Sequence, residues 1–88
     1  GLDRSKAATI VTVRPDEVCA ALSEAFECGM TITEAKGYYS DSPKTVVYIV
    51  VNRFQVGKMK ELVHENDRSA YISIAEIADV YGANTDKA

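Results

Sequence analysis

At 88 residues the chain is long enough for one domain and too short for two separate hydrophobic cores. Its composition, 47% hydrophobic and 26% charged, is typical of a folded globular protein rather than a disordered one. A net charge of −3, without a basic stripe interleaved with aromatic residues, argues against nucleic acid as a partner. No apolar run approaches the roughly 20 residues of a transmembrane helix, and no signal peptide is visible.

The first half of the chain predicts a strand, a helix and a second strand. Residues 1–6 are polar and are predicted to be a linker or leader, and residues 7–13 are a strand candidate. Pro15 suits the first turn of a helix, and Gly29 is predicted to end it in a left-handed conformation. The apolar stripe of this helix comprises Val18, Leu22, Ala25 and Phe26. Residues 30–36 alternate with period two, as in a strand with one buried face.

The second half repeats this pattern around the most apolar stretch of the chain. Residues 37–43 are a loop by their turn residues, and residues 44–51 are a long β-branched run. Because a strand that is apolar on both faces belongs inside a sheet, this run is predicted to be a central strand. Asn52 and Gln55 are a predicted capping pair for a second helix. The buried stripe of that helix is predicted to contain Val56, Met59, Leu62 and Val63.

The end of the chain leaves two interpretations open. Residues 70–74 predict the last clear strand. Ser73 with Glu76 matches a helix-capping pattern, so a short helical turn over residues 75–81 is favoured. The alternative is that an irregular strand continues through the same residues. The domain is predicted to span residues 7–82, and residues 83–88 are predicted to be a frayed tail.

The resulting order, β-α-β-β-α-β, predicts an α+β, ferredoxin-like antiparallel sheet with both helices on one face. The first and third strands become central. The opposite face has no helix to cover it, although the strands place β-branched and aromatic side chains there. A partner subunit is therefore expected to cover this face, in a homodimer or homotrimer. The predicted oligomer interface comprises Val11, Val46, Tyr48, Val50 and Tyr71.

The two cysteines are interpreted as reduced structural thiols. Cys19 and Cys28 are nine positions apart on what is predicted to be a single helix. That spacing separates them by about 13–14 Å on opposite sides, which is too far for a disulfide. Their spacing also differs from that of a metal knuckle, so no metal site is predicted.

Several short motifs, taken as a set, carry a family resemblance. They are Gly1-Leu2-Asp3, Ser5-Lys6-Ala7, Gly37, Tyr39, Val50-Val51-Asn52-Arg53, and Asp67 with Ala70-Tyr71. The set resembles the C-terminal domain of unknown function found in YitT-type bacterial membrane proteins. The resemblance implies that transmembrane helices precede the domain, that the transmembrane region of the parent chain is a partner, and that the domain lies on the cytoplasmic face of the membrane.

The predicted fold is also similar to ACT and PII sensor proteins, which bind ligands or partners through a loop or at a subunit interface. Arg53, at a predicted helix start, suits a phosphate or carboxylate. The alternative is a solvated or salt-bridged arginine. The loop residues in the corresponding place are Tyr38, Tyr39, Ser40 and Ser42. The alternative for them is an ordinary hairpin connection.

No pattern of catalytic residues, glycine-rich phosphate loop or zinc-binding motif is present, so neither an enzyme nor a cofactor is predicted. The sequence favours a regulatory module that senses a small anionic or nucleotide ligand and forms oligomers. The alternative is a structural assembly domain with no ligand. The central strand separates Arg53 from the loop by about 25 Å, so a shared ligand site is predicted at a subunit interface.

Overall fold

The computed structural model, which describes residues 5–82, has a four-stranded antiparallel sheet and two helices. In chain order the elements are β1 (Ser5–Thr12), α1 (Pro15–Phe26), β2 (Thr31–Lys36), β3 (Pro43–Asn52), α2 (Val56–Asn66) and β4 (Tyr71–Glu76). The strand order is β2-β3-β1-β4, and each neighbouring pair is antiparallel. The predicted ferredoxin-like βαββαβ fold, with the first and third strands in the centre, is confirmed.

The hydrophobic core lies between one face of the sheet and the two helices. In the register of β1 and β3, Ala8 is opposite Ile49 and Ile10 is opposite Val47, and all four side chains are buried. The helices contribute Val18, Leu22, Met59 and Val63, which are also buried. Burial of each large apolar side chain contributes about 1.5–3 kcal/mol, so this layer is the main stabilising term. The predicted stripes are confirmed except at Ala25, which is exposed. Phe26, Val56 and Leu62 are only partly buried, at the margin of this layer.

Helix α1 begins as predicted and ends earlier than predicted. Pro15 occupies the first turn, and Asp16 and Glu17 put negative charge where the helix dipole is positive. The prediction that Gly29 ends the helix in a left-handed conformation is wrong. Glu27 adopts that conformation, with φ of 51°, and its N–H donates to the Ser23 carbonyl at 2.9 Å. This exit lets the following residues turn back and pack against the core.

The predicted capping pair, Asn52 and Gln55, forms the turn that precedes helix α2. The Oδ1 atom of Asn52 accepts hydrogen bonds from the N–H groups of Phe54 and Gln55, at 2.9 and 3.0 Å. In return, the Oε1 atom of Gln55 accepts from the Asn52 N–H at 2.9 Å. The reciprocal bonds confirm that the two residues pair, but the prediction that the pair caps the helix is wrong. Regular helix begins at Val56, its N-cap residue is Gln55, and no side chain caps its first turn. The pair instead stabilises the turn between β3 and α2, whose own N–H groups it binds.

The predicted helical turn over residues 75–81 is wrong. Strand β4 continues to Glu76, which pairs with Lys6, and the Ile77 N–H donates to the Ser5 carbonyl at 3.0 Å. The reason is that β1 begins at Ser5, inside the segment predicted to be a linker, and so offers backbone partners to a longer β4. Residues 78–82 have no regular secondary structure. The predicted tail, residues 83–88, lies outside the described residues.

Candidate functional site

The sheet face away from the helices is the largest uncovered surface that the strands create. We call it the open face. The strand registers assign to it Ala7, Thr9, Val11, Thr31, Thr33, Ala35, Val46, Tyr48, Val50, Tyr71, Ser73 and Ala75. Every residue of the predicted oligomer interface lies on this face. Tyr48 and Tyr71 are 42% and 67% exposed, and the three valines are half-buried between neighbouring side chains.

The distribution of charge between the two faces is the reverse of the usual one. Within the described strands, Lys6, Glu34, Lys36 and Glu76 share the helix-covered side, where they lie on or near the sheet margin. Lys44 alone shares the side of the open face, at the end next to the β2–β3 connection. A solvated sheet face ordinarily carries polar and charged residues in alternation with the core. Apart from Lys44 at its end, the open face instead carries small, β-branched and aromatic side chains without charge.

Arg53 lies in the turn between β3 and α2, at one end of the sheet. It is exposed, and its guanidinium carbon is 4.8 Å from the ring centroid of Phe54, which is 69% exposed. Within residues 5–82 no carboxylate forms an ion pair with Arg53. Of the two alternatives to a ligand-binding arginine, a salt-bridged Arg53 therefore has no support in these residues, whereas a solvated Arg53 agrees with its exposure.

The β2–β3 connection lies at the other end of the sheet. Tyr38 and Tyr39 are 90% and 98% exposed, and their rings meet edge to face with centroids 5.2 Å apart. The hydroxyl groups of Ser40 and Ser42 hydrogen-bond to each other at 2.7 Å. Ten residues of β3 separate this connection from the Arg53 turn, a distance of about 30 Å. Within one copy, the structure does not bring Arg53 together with the predicted loop residues.

Asp67 is a buried carboxylate that the sequence patterns did not single out. Asp67 is 4% exposed, and its Oδ2 atom accepts from the Thr12 hydroxyl at 2.5 Å and the Val13 N–H at 3.0 Å. Its Oδ1 atom accepts from the N–H and hydroxyl groups of Ser69, at 3.0 and 2.8 Å. Burial alone raises the pKa of Asp67, but these hydrogen bonds outweigh it and lower the pKa from 3.8 to about 2. Because its partners consume both oxygens, Asp67 is a structural anchor.

Within residues 5–82 the remaining reactive side chains form no further site. Cys19 and Cys28 are free thiols, as predicted, although Cys28 lies beyond the end of α1 rather than on it. Burial raises the pKa of both thiols, which makes them less reactive. A ring nitrogen of His64 lies 3.1 Å from the Ala70 carbonyl oxygen, beside a shallow groove. Among residues 5–82 no cluster of histidine, cysteine, aspartate and glutamate has the arrangement of a metal site.

Comparison with protein families and curated proteins gives consistent matches. Residues 28–82 match the family described as "Uncharacterized protein conserved in bacteria (DUF2179)". The UPF0750 membrane protein YxkD of Bacillus subtilis is 28% identical over 82 residues, and the UPF0750 membrane protein YitT of the same species is 29% identical over 75. These matches cover 93% and 85% of this chain but only 30% and 27% of the relatives. Across the described part of the chain, neither helix is long and apolar enough to cross a bilayer.

Solved structures show the same fold at low sequence identity. A DUF2179 protein from Eubacterium ventriosum superposes with a TM-score of 0.68 at 20% identity, over 83% of this chain and 100% of that one. PII of Arabidopsis thaliana, bound to citrate, superposes with a TM-score of 0.76 at 24% identity, over 97% of this chain and 84% of that one. The predicted PII-like fold is therefore confirmed. At these identities the likeness extends to the fold alone.

Proposed function

Because this chain belongs to the DUF2179 family and its curated relatives are membrane proteins, we propose that it is a non-catalytic regulatory domain that assembles with its own copies beside a membrane. The observation that supports this proposal is the open face, which within the described strands carries no charge except Lys44 at its end. A second copy is the occupant that fits it best. Two such faces dock without repulsion between like charges over most of their area, whereas a charged partner gains few ion pairs there.

The size of the open face supports the same occupant. Four strands spaced about 4.8 Å apart, each six to ten residues long, present roughly 400–500 Å² in plan. A stable interface of standard size takes about 800 Å² of accessible surface from each partner. Side chains raise the accessible area above the area in plan, so an interface that uses nearly the whole face is sufficient. Tyr48 lies on a central strand of this face and is expected to be its main contact.

Sedimentation velocity of the purified domain at micromolar concentration tests the assembly. The wild type should sediment as a dimer or trimer. Tyr48→Lys should weaken association by more than about tenfold, because a lysine in the middle of the interface would be buried without a partner. Tyr81→Lys, the same change at a tyrosine outside the open face, should have no effect. A monomeric wild type, or equal effects of the two variants, would refute the proposal.

The second part of the proposed function is recognition of a small anionic or nucleotide ligand. Its support is the exposed guanidinium of Arg53, which has no carboxylate partner in residues 5–82. Because Tyr38, Tyr39, Ser40 and Ser42 lie about 30 Å away in the same copy, a shared site needs the loop of a neighbouring copy. The alternative is assembly without a ligand. The citrate bound to the similar Arabidopsis PII makes citrate a natural addition to a panel of nucleotides.

Calorimetric titration with that panel separates the two alternatives. Arg53→Ala should weaken binding of a phosphate-bearing ligand by more than about tenfold, since a hydrogen bond to a charged group contributes about 1.5–3 kcal/mol. Its fold should be intact because the side chain is exposed. Arg68→Ala removes another exposed arginine and is the matched control. If the wild type binds none of these compounds, assembly without a ligand is the better description.

We place the domain on the cytoplasmic face of the membrane, where its unpaired thiols would stay reduced. A cysteine replacing the exposed Lys60, in a variant that lacks Cys19 and Cys28, provides a test in cells expressing the whole protein. A membrane-impermeant maleimide should label this position only after the cells are opened. Labelling in intact cells would contradict the assignment.

A further inference from the structure

The connection between β2 and β3 has a fixed conformation, although it projects from the sheet. We call residues 37–42 the hairpin tip. The Gly37 N–H donates to the Ser42 carbonyl and the Asp41 N–H donates to the Gly37 carbonyl, each at 2.9 Å. Asp41 adopts a left-handed conformation with φ of 53°, which aspartate tolerates better than most residues. These two bonds define the shape of the turn.

The charged and hydroxyl side chains around the hairpin tip also have partners there. The Nζ atom of Lys36 lies 3.3 Å from a carboxylate oxygen of Asp41, which balances the two charges. Ser40 and Ser42 share a hydrogen bond between their hydroxyl groups. Within the described residues, the phenol groups are the polar side-chain groups of the hairpin tip that have neither a hydrogen-bond partner nor an ion-pair partner. The charge of Asp41 is therefore balanced by Lys36.

Against that background the two tyrosine rings stand almost fully in solvent. Tyr38 and Tyr39 are held at an interplanar angle of 80°, in the edge-to-face geometry that aromatic pairs prefer. A tyrosine presents about 150–250 Å² of surface, most of it apolar. Two such rings on a short ordered hairpin form an exposed apolar projection, and such features mark interaction sites.

We propose that the hairpin tip contacts a lipid bilayer, with the rings of Tyr38 and Tyr39 in the headgroup region. Tyrosine is enriched at this boundary because its ring is apolar and its hydroxyl group is wetted. The headgroup region suits the hairpin tip because it is hydrated: backbone groups that the two hydrogen bonds of the turn leave free can bind water or lipid headgroups there. Lys44, at the base of the hairpin, is placed to extend its ammonium group to lipid phosphates.

This inference rests on the proposed function only for the nearness of a membrane, and it requires no assembly through the open face. The bilayer contact and the predicted ligand site also depend on different parts of Tyr38 and Tyr39. A bilayer contact depends on the rings, whereas a ligand would bind the hydroxyl groups. Replacement by phenylalanine, which keeps the ring and removes the hydroxyl, therefore distinguishes the two.

Tryptophan reporters locate the contact, because the chain contains no tryptophan. Tyr39→Trp should show a blue shift of emission when phosphatidylcholine vesicles are added to the purified domain. Tyr81→Trp places the reporter at another exposed tyrosine and should show no shift. A shift at position 39 that depends on protein concentration in the absence of vesicles would overturn the proposal, because it would mean that the hairpin tip docks on a second copy.

Vesicle flotation measures the contribution of the rings. Replacing both tyrosines by serine should lower partitioning onto phosphatidylcholine vesicles by at least about tenfold, since most of the apolar area is lost. Replacing both by phenylalanine should preserve it. The proposal is overturned if the double serine and double phenylalanine variants bind vesicles equally. It is also overturned if binding occurs only to vesicles that contain phosphatidylglycerol and neither double variant changes it. The absence of an emission shift from Tyr39→Trp at millimolar lipid would overturn it as well. A monomer in sedimentation would reject assembly and leave these results unaffected.

Discussion

Asp67 provides the sharpest test of how this fold is held together. Its carboxylate connects the end of β1, through Thr12 and Val13, to the turn that precedes β4, through Ser69. The Asp67→Asn variant keeps the size of the side chain and removes its charge. An asparagine amide nitrogen at the Oδ2 position would face the Val13 N–H, so two donors would meet and one buried N–H would be left unsatisfied. Such a loss costs about 1–3 kcal/mol.

The charge adds a dependence on pH. The pKa of Asp67 is about 2 in the folded protein and 3.8 in the unfolded chain, a difference equivalent to about 2 kcal/mol. Because the folded pKa is lowered, this stabilisation is fully present above about pH 4 and is lost as the pH falls towards 2. At pH 7, Asp67→Asn should therefore lower the free energy of unfolding by about 2–4 kcal/mol.

Urea unfolding followed by circular dichroism, at pH 7 and pH 3, measures both effects. For a small domain, a slope of about 1 kcal/mol per molar urea makes a loss of 2 kcal/mol a shift of about 2 M in the midpoint. The matched control is Asp41→Asn, an exposed position in a left-handed conformation that asparagine tolerates. It should change stability by less than about 0.5 kcal/mol. If Asp67→Asn unfolds within that margin of the wild type at pH 7, the four hydrogen bonds do not contribute as argued.

The remaining predictions use the same unfolding assay. Met59 is fully buried between the helices and the sheet, so Met59→Ala should cost about 2–5 kcal/mol, whereas Lys60→Ala on the exposed face of α2 should cost under about 0.5 kcal/mol; similar values for the two would refute the packing of α2. Gly37→Ala places a methyl group 2.4 Å from the Ser40 Oγ atom and should destabilise the domain by about 1 kcal/mol or more, with relief by a second change, Ser40→Ala. Gly57→Ala meets no atom within 4 Å in an exposed helix and should stabilise by about 0.4–1 kcal/mol, so a loss there would contradict the structure.

The architecture could be predicted because local and long-range signals agree. Residues 44–51 are apolar on both faces, and a central position is where such a strand is stable. The 3.6-residue spacing of the two helical stripes then fixed which helix faces meet the sheet. The reciprocal bonds of Asn52 and Gln55 could be predicted because they are local in sequence, although they form the turn before α2 rather than its cap.

The errors arose where a distant partner decided the structure. Ser73 and Glu76 match a local helix-capping pattern, but β1 extends to Ser5 and pairs with β4, and tertiary pairing outweighs a weak local preference. The hydrogen bond from Thr12 to Asp67 joins residues 55 positions apart. No periodicity in the sequence encodes such a contact. The ligand site, which depends on a neighbouring copy, stays a prediction for the same reason.

The antiparallel pairing of β1 with β4 also determines how the symmetry of an assembly relates to the points where each chain enters and leaves its sheet. Because the Ile77 N–H meets the Ser5 carbonyl, the chain enters and leaves the sheet at the same end, and the hairpin tip lies at the other end of a body 41 Å long. Two open faces related by a twofold axis parallel to the strands would place the four points where the chains enter and leave the sheets, at Ser5 and Ile77 of each copy, on one side. An axis perpendicular to the strands and in the plane of the interface would place them on opposite sides. If both copies are joined to segments in one bilayer, the twofold axis stands along the membrane normal. The first symmetry then holds the strands upright and the hairpin tips away from the bilayer, whereas the second lays the strands along it. Only the second lets the hairpin tips of both copies reach the bilayer to which the chains are joined.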